Sequence, residues 1–269
     1  MNLLERIVRA KEAEIELLKA LWKPGSTHRG DPLDVVSMLE RRRTKPGADP
    51  LRVLAEVKFR SPSAGYLSRR MNAGERALAY ARAGASMVSI LCDTEFFGGS
   101  WDDLTMARAA LRPLRRPVPI LAKEFILDPI QLCLARAKGA DAALLIARIV
   151  SPERLAELVR AAKANDLTPI VEVTNAAELA AALSTTARII GVNARDLDTL
   201  TVDASGAGEL LAGIPGTHVA LHFSGMKTVH DVRAVASGRA DGALIGEALM
   251  REDDPTPLLT NFVEAAKGE

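Results

Sequence analysis

The stretch DAALLIARIVSPERLAELVRAAKANDLTPIVEV, residues 141–173, contains a complete strand–helix–strand pattern. Its two ends are short apolar runs, and between them Leu and Val recur at the three- and four-residue spacing of one helix face. Ser151 precedes the helical segment and Asn165 follows it, where such residues commonly cap a helix. The end runs show little alternation of apolar and polar residues, which is typical of strands buried on both faces of a parallel sheet. The stretch therefore predicts one βα unit and the start of the next in an α/β fold.

The same unit recurs along most of the chain. Apolar runs of strand length begin at eight positions: Val53, Ser86, Val118, Asp141, Thr168, Arg188, His218 and Asp241. Helical patterns lie between these runs, so the fold is either a closed (β/α)8 barrel, the TIM barrel, or a doubly wound open sheet. The count of eight favours the barrel. The sequence has neither GxGxxG after the first strand nor GxxxxGK followed by Ser or Thr, the usual signals of an open nucleotide-binding sheet.

Length and composition fit one globular domain. The 269 residues match the size of a single barrel, and 48% apolar and 26% charged residues are ordinary values. The net charge of +1 and the lack of aromatic residues in the basic stretch 41–45 give no reason to expect a nucleic-acid partner. No run approaches the ~18 apolar residues of a membrane helix. Cys92 and Cys133 lack metal-ligand spacing and are expected to be reduced core thiols, which fits a cytoplasmic location. A monomer or weak homo-oligomer is expected, although the sequence leaves the oligomeric state open.

Polar and charged side chains lie where four of the predicted strands end: Glu56, Lys58, Lys123, Glu172, Asn193 and Arg195. The carboxyl ends of the strands form one face of a barrel, and in barrel enzymes this face carries the catalytic groups. A purely structural ion pair between Glu56 and Lys58 is the alternative for a single strand. Burying several such groups together costs several kcal/mol of hydration for each ion, which favours a functional site.

These residue types indicate acid–base chemistry. A partly buried lysine near another cation is expected to have a lowered pKa and to deliver a proton, while a carboxylate takes one away. No metal site is expected, because His218 and His222 would lie about 13 Å apart along one strand. Both histidines are interpreted as structural.

Glycine-containing loops after the last two predicted strands indicate a phosphate site. The dipeptide Ser224-Gly225 follows the seventh strand, and Gly246-Glu247 follows the eighth. In barrels of this kind, backbone N–H groups of these two loops commonly bind phosphate. Ser61 and Ser63, after the first strand, would add hydroxyl donors.

Seven segments, in order, resemble signatures of the indole-3-glycerol-phosphate synthase family of tryptophan biosynthesis. They are LAEVKFRSPSAG, SILCDTEFFGGSWDDL, PILAKEFILDPIQ, GADAALLIARIVS, PIVEVTNAAEL, IIGVNARDLDTL and GALIGEALM, and the similarity covers nearly the whole chain after about Arg52. The resemblance implies a single (β/α)8 barrel domain over residues 1–269, with residues 1–50 forming a helical extension that covers the barrel mouth. It also implies a carbon–carbon lyase, a carboxy-lyase, that needs no cofactor.

The resemblance implies a substrate and a role for each site residue. The substrate would be 1-(2-carboxyphenylamino)-1-deoxyribulose 5-phosphate, whose aromatic ring attacks the sugar carbonyl before CO2 and then water are lost. Lys123 would be the general acid of ring closure, and Lys58 would hold the substrate carboxylate, although which lysine serves which proton transfer stays open. The other implied roles are dehydration chemistry for Glu172 and Glu56, their orientation by Asn193, support of the network and substrate binding by Arg195, and phosphate binding by Ser61, Ser224, Gly225, Gly246 and Glu247.

Two positions depart from the family pattern. Glu124 stands where the family has Asp, which preserves the charge and is expected to shift only a supporting contact. Phe223 stands in ALHFSGM, where the family usually reads like SESGI and supplies a third glutamate. The loss of this negative charge is expected to lower the pKa of the neighbouring lysines, unless His222 or Arg148 compensates.

Two other functions fit the same residues. A sugar-phosphate isomerase or aldolase would use the same barrel, although the sequence offers no Asp acid/base pair for the isomerase. A degenerate paralogue that binds phosphorylated ligands without turnover is the other, and Phe223 is its only positive argument.

Overall fold

The computed structural model describes residues 2–23, 32–41, 49–62, 64–196, 199 and 201–268. The strands, in chain order, are β1 Arg52–Val57, β2 Arg60–Ser61, β3 Gly65–Tyr66, β4 Met87–Leu91, β5 Ile120–Lys123, β6 Ala142–Ile146, β7 Thr168–Val173, β8 Ile189–Asn193, β9 Val219–Phe223 and β10 Gly242–Ile245. Eight of them form a closed parallel barrel in the order β1-β4-β5-β6-β7-β8-β9-β10, and the short β2 and β3 pair with each other in the loop after β1. The predicted (β/α)8 barrel is confirmed, and each barrel strand begins within two residues of its predicted start.

The helices alternate with the barrel strands, after two helices that precede β1. They are α1 Leu3–Leu21, α2 Val35–Leu39, α3 Ala73–Arg82, α4 Trp101–Leu111, α5 Pro129–Ala137, α6 Pro152–Ala164, α7 Ala176–Leu183, α8 Ala204–Ala212, α9 Val229–Ser237, α10 Glu247–Arg251 and α11 Thr256–Ala265. Ser151 caps α6 by accepting a hydrogen bond from the N–H of Arg154, and Asn165 ends it, as the sequence predicts. None of the helices in the described residues is long and apolar enough to cross a membrane.

Aspartates tie neighbouring strands together at the amino end of the barrel. Asp141 precedes β6 and accepts a hydrogen bond of 2.8 Å from the N–H of Ile120, the first residue of β5. Asp241 precedes β10 and accepts a bond of the same length from the N–H of Ala220 in β9. Both carboxylates also pair with an arginine. This end of the barrel is therefore fixed by structural charges, which leaves the opposite end for chemistry.

Side chains of each barrel strand alternate between the helix layer and the barrel interior. In β1, Val53 and Val57 pack in the large core under the helices, whereas Leu54 packs in the core inside the barrel. Glu56 shares the inner face with Leu54, because alternate residues of a strand point the same way. Strand periodicity therefore directs the carboxylate of Glu56 towards the barrel axis.

Helix α1 packs at the carboxyl end of the barrel. Its buried residues are Leu4, Ile7, Lys11 and Ile15, at the spacing of one helix face. Leu4 and Ile7 belong to the same apolar cluster as the inward-facing strand residues. A lysine therefore occupies the middle of the apolar face with which α1 contacts the barrel.

Candidate active site

One cavity opens at the carboxyl ends of the barrel strands and encloses about 1110 Å³ of space free of protein atoms, part of it open to solvent. It is lined by eleven residues that the sequence analysis assigns to the site: Glu56, Lys58, Ser61, Lys123, Glu172, Asn193, Arg195, Ser224, Gly225, Gly246 and Glu247. The residues come from strands on all sides of the barrel. The structure thus brings together residues that are up to 191 positions apart in the chain (Glu56 to Glu247).

The charged side chains of the cavity form two ion pairs. Lys58 Nζ lies 2.7 Å from Glu56 Oε2, and Lys123 Nζ lies 3.4 Å from Glu172 Oε2. Asn193 donates a hydrogen bond of 3.0 Å to the other oxygen of Glu172. The lysine side chains are 16% and 17% exposed, whereas the two carboxylates are 3% and 1% exposed. The ammonium groups therefore face the cavity, and the carboxylates hold them from behind.

The electrostatics of the cavity correct one expectation from the sequence. Burial alone would lower the pKa of Lys123, but the carboxylates of Glu172 and Glu56 outweigh it, so that its pKa is raised. Burial would likewise raise the pKa of Glu56, but the ammonium groups of Lys58 and Lys123 hold it below its ordinary value. The expected lowering of the lysine pKa is therefore wrong for Lys123, because two carboxylates remain beside it in spite of Phe223.

Phe223 fills the interior beneath Lys123. Its side chain is 1% exposed, and the ring centroid lies 5.7 Å from Lys123 Nζ, a distance suited to a cation–π contact. The ring leans on Gly191, where an added Cβ would lie 2.4 Å from Phe223 Cε2. An aromatic ring therefore occupies this position only because the neighbouring strand offers a residue without a side chain.

Neither proposed substitute for the missing glutamate lies in the cavity. His222 alternates with Phe223 along β9, so its ring is on the outer side of the barrel, and it is absent from the cavity lining. Arg148 is exposed and pairs with Asp196 at 3.2 Å, also outside the lining. The idea that His222 or Arg148 compensates for Phe223 is therefore wrong.

The loops after β9 and β10 approach the cavity with unusual backbone geometry. Ser224 and Gly225 have φ angles of +69° and +86°, the left-handed region that favours glycine. A Cβ at Gly246 would lie 2.3 Å from Glu56 Oε2, so only glycine fits between this loop and the catalytic strand end. Glu247 begins α10 and lies 3.8 Å from Arg195.

Ser61 is 5% exposed and also lines the cavity, where its Oγ accepts a hydrogen bond from the N–H of Ala64. Ser63, the other predicted hydroxyl donor, lies outside the described residues.

An apolar wall faces these loops, and sequence analysis missed it. Phe97 and Phe125 line the cavity with ring centroids 5.8 Å apart, and Leu3, Leu4 and Ile7 of α1 join them. Phe125 follows β5, the third barrel strand, while the loop at Ser224 follows the seventh. Strands three and seven of an eight-stranded ring lie across the barrel from each other. The cavity therefore has an apolar side and, opposite it, the side formed by the glycine-containing loops after β9 and β10.

A second polar cluster, also missed, lies beside the cavity. Lys11 of α1 is 1% exposed, and its Nζ lies 2.8 Å from Asp93 Oδ2 and 3.2 Å from Glu124 Oε1. Glu124 therefore has a definite partner on α1. The available signal was a lysine at position 11 within the apolar spacing Leu4, Ile7, Ile15.

The fold and the cavity together define a (β/α)8-barrel enzyme with lysines and carboxylates of the kind that acid–base chemistry requires. The family model for indole-3-glycerol phosphate synthase matches residues 4–262. The chain is 40% identical over 236 residues to the indole-3-glycerol phosphate synthase of Opitutus terrae, covering 84% of this chain and 89% of that protein. It is 36% identical over 275 residues to that of Exiguobacterium sibiricum, covering 100% and 98%. The chain belongs to the indole-3-glycerol phosphate synthase family, whose members are carboxy-lyases of tryptophan biosynthesis.

Solved structures support the fold. The tryptophan synthase α subunit of Legionella pneumophila superposes with a TM-score of 0.58 and 15% sequence identity, over the full length of both chains. At this identity the likeness concerns the barrel alone.

Proposed function

We propose that the chain converts 1-(2-carboxyphenylamino)-1-deoxyribulose 5-phosphate into indole-3-glycerol phosphate. The ring carbon that bears the carboxylate attacks the keto carbon, and the carbonyl oxygen takes up a proton to become a hydroxyl. CO2 then leaves the same ring carbon. Finally the new hydroxyl leaves as water while a proton is lost from the neighbouring methylene carbon, which completes the indole. No step needs an external oxidant or reductant, so the protein must supply acids and bases and must orient the substrate.

The observation that carries the proposal is the ion pair between Lys123 and Glu172 in the cavity wall, with the carboxylate of Glu56 near enough to act on Lys123 electrostatically. Because Glu172 and Glu56 raise its pKa, Lys123 holds its proton at neutral pH until a stronger base forms. The carbonyl oxygen becomes such a base as the carbon–carbon bond forms, so Lys123 is suited to be the general acid of ring closure. A Schiff-base aldolase would need an unprotonated amine, which a raised pKa disfavours.

The other charged groups suit the remaining steps. Lys58, 16% exposed and anchored by Glu56, presents an ammonium group to the substrate carboxylate and is placed to give a second proton. Oxygen Oε1 of Glu56 is buried and accepts no hydrogen bond from the residues that the structure describes, so it is a candidate to accept one from the substrate. Glu172, held by Asn193, acts on the hydroxyl and on the proton lost in dehydration. Arg195 supports this network through Glu247.

The two ends of the substrate match the two sides of the cavity. The phosphate would bind to the loops at Ser224-Gly225 and Gly246-Glu247, with the Ser61 hydroxyl as a further donor. The aromatic ring would lie against Phe97 and Phe125, opposite these loops. The extension of residues 1–50, of which the structure describes 2–23, 32–41 and 49–50, would cover the mouth as part of a single barrel domain over residues 1–269. We further propose a cytoplasmic enzyme, monomeric or weakly homo-oligomeric, with no nucleic-acid partner, and gel filtration tests the oligomeric state.

The deciding experiment is the formation of the indole chromophore. Purified protein incubated with the aminodeoxyribulose phosphate should give a rise in indole absorbance and release one CO2 per turnover. Binding of the substrate without turnover would identify the degenerate paralogue instead. Turnover of phosphoribosylanthranilate in place of this substrate would identify the isomerase.

A further inference from the structure

Lys11 joins three separate elements of the barrel mouth. Its ammonium group extends from α1 to Asp93, which follows β4, and to Glu124, which follows β5, at 2.8 and 3.2 Å. A third carboxylate, Glu14 on the same helix, lies 2.8 Å away. Lys11, Asp93 and Glu124 are all at most 2% exposed. Lys11 does not line the cavity, so it lies outside the set of residues assigned to the reaction.

The carboxylates bound by Lys11 also accept hydrogen bonds from the backbone of the apolar wall. Asp93 Oδ1 accepts hydrogen bonds from the backbone N–H groups of Phe96, at 2.6 Å, and Phe97, at 3.0 Å. Glu124 Oε1 accepts a bond of 2.8 Å from the N–H of Phe125. Phe97 and Phe125 are the two rings of the apolar wall. The ammonium group therefore connects the position of α1 to the backbone of both rings.

Glu124 carries the connection one residue further. It directly follows Lys123, the last residue of β5 and the general acid of the proposed reaction. A buried ion pair is costly to break from one side, because the remaining charge loses its partner without regaining water. Of the two α1 lysines with ion pairs in the structure, the other, Lys19, is 43% exposed and pairs with Asp128 on the outer surface.

We propose that Lys11 is a positioning residue for this enzyme, which fixes α1, Phe97 and Phe125 around the substrate ring through Asp93 and Glu124. The proposal rests on the proposed function for its kinetic readout. The structural readout, which is how stably α1 packs on the barrel, does not depend on the proposed function. Loss of the ammonium group should release α1, open the apolar side of the cavity and leave the phosphate side in place.

The test compares Lys11→Met with Lys19→Met in the full chain. Hydrogen exchange of the α1 amides should be at least about tenfold faster in Lys11→Met and unchanged in Lys19→Met. The KM for the aminodeoxyribulose phosphate should rise and kcat/KM should fall about 10- to 100-fold in Lys11→Met, because the ring is no longer oriented. A residue with a role in stability alone would change the thermal midpoint and leave the KM of the folded protein unaltered. Unchanged α1 exchange and unchanged KM in folded Lys11→Met would overturn the proposal.

A milder variant keeps the test decisive if Lys11→Met does not fold. Asp93→Asn retains the oxygen that accepts from Phe96 and Phe97 but replaces the oxygen facing Lys11 with an amide. This variant should show severalfold faster hydrogen exchange of the α1 amides and a higher KM. If both the exchange rate and the KM equal those of the wild type, the proposal is contradicted. If the wild-type protein gives no indole, the proposed function fails, and the exchange data alone then decide whether Lys11 holds α1.

Discussion

Two polar clusters at the barrel mouth use similar residues in opposite ways. The strand-end cluster, comprising Glu56, Lys58, Lys123, Glu172 and Asn193, gives each lysine its own carboxylate and leaves the two lysine side chains 16% and 17% exposed. The α1 cluster, comprising Lys11, Glu14, Asp93 and Glu124, surrounds the ammonium group of one lysine, whose side chain is 1% exposed, with three carboxylates. The strand-end cluster therefore keeps one side open to the cavity, whereas the α1 cluster buries Lys11, Asp93 and Glu124 and leaves only Glu14 in contact with solvent.

The largest effect on activity in this comparison should come from removing a charge of the strand-end cluster. Lys123→Ala is expected to lower the turnover number by about two to four powers of ten, the usual range for a general acid. The fold should survive, because Glu172 keeps its hydrogen bond from Asn193. Steady-state kinetics with circular dichroism as a folding control measure this. A rate equal to that of the wild type would remove Lys123 from its proposed role.

The α1 cluster should make the stability of the protein depend on pH. Burial raises the pKa of Glu124 to about 7, although Lys11 opposes the shift and Asp93 adds to it. In the unfolded chain the pKa of Glu124 is near 4.5, so the folded chain binds this proton more tightly. The protonated carboxyl therefore adds stability that is fully present below pH 4.5 and is lost as the pH rises through about 7. Glu124→Gln cannot titrate, so its free energy of unfolding relative to the wild type should increase by about 2 to 3 kcal/mol between pH 5 and pH 8.

Urea denaturation of the two proteins at both pH values measures this difference. Phe125 keeps a hydrogen-bond acceptor in the variant, so the comparison isolates the charge. A difference in unfolding free energy that is the same at pH 5 and pH 8 would contradict the raised pKa.

A smaller effect on stability and activity should follow from overpacking next to the strand-end cluster. In Gly191→Ala the new methyl group would meet the Phe223 ring at 2.4 Å, so the ring must move, at a cost of about 1 to 3 kcal/mol. The movement withdraws the ring face from Lys123 and should lower the turnover number about tenfold. Adding Phe223→Leu should restore stability, because the smaller side chain leaves room. A double variant no more stable than Gly191→Ala would show that the contact with the ring is not the cause.

The strand-end cluster could be predicted from the sequence because the barrel has a simple rule. Eight apolar runs separated by helical patterns define the strands, and the last residues of each strand must share one face, so Lys123 and Glu172 meet although 49 residues separate them. The paired glycine loops were identified in the same way. No knowledge of side-chain packing was required.

The α1 cluster could not be predicted because no such rule relates α1 to the barrel. Where a helix lies over a barrel depends on packing between distant segments, which local periodicity does not encode. Lys11 within the apolar spacing of α1 is a visible anomaly, but the partners Asp93 and Glu124 follow only from the folded arrangement. The raised pKa of Lys123 was missed for a related reason, since it depends on the distances of Glu172 and Glu56.

The contact between Phe223 and Gly191 also constrains how this enzyme could have changed over time. While position 191 lacks a side chain, position 223 can accept residues of several sizes, so mutations there face no barrier from that neighbour. Once a larger residue became fixed at 191, the aromatic ring would have to move, at a cost in stability. The order in which substitutions arise at these two adjacent strands therefore decides which of them natural selection can reach.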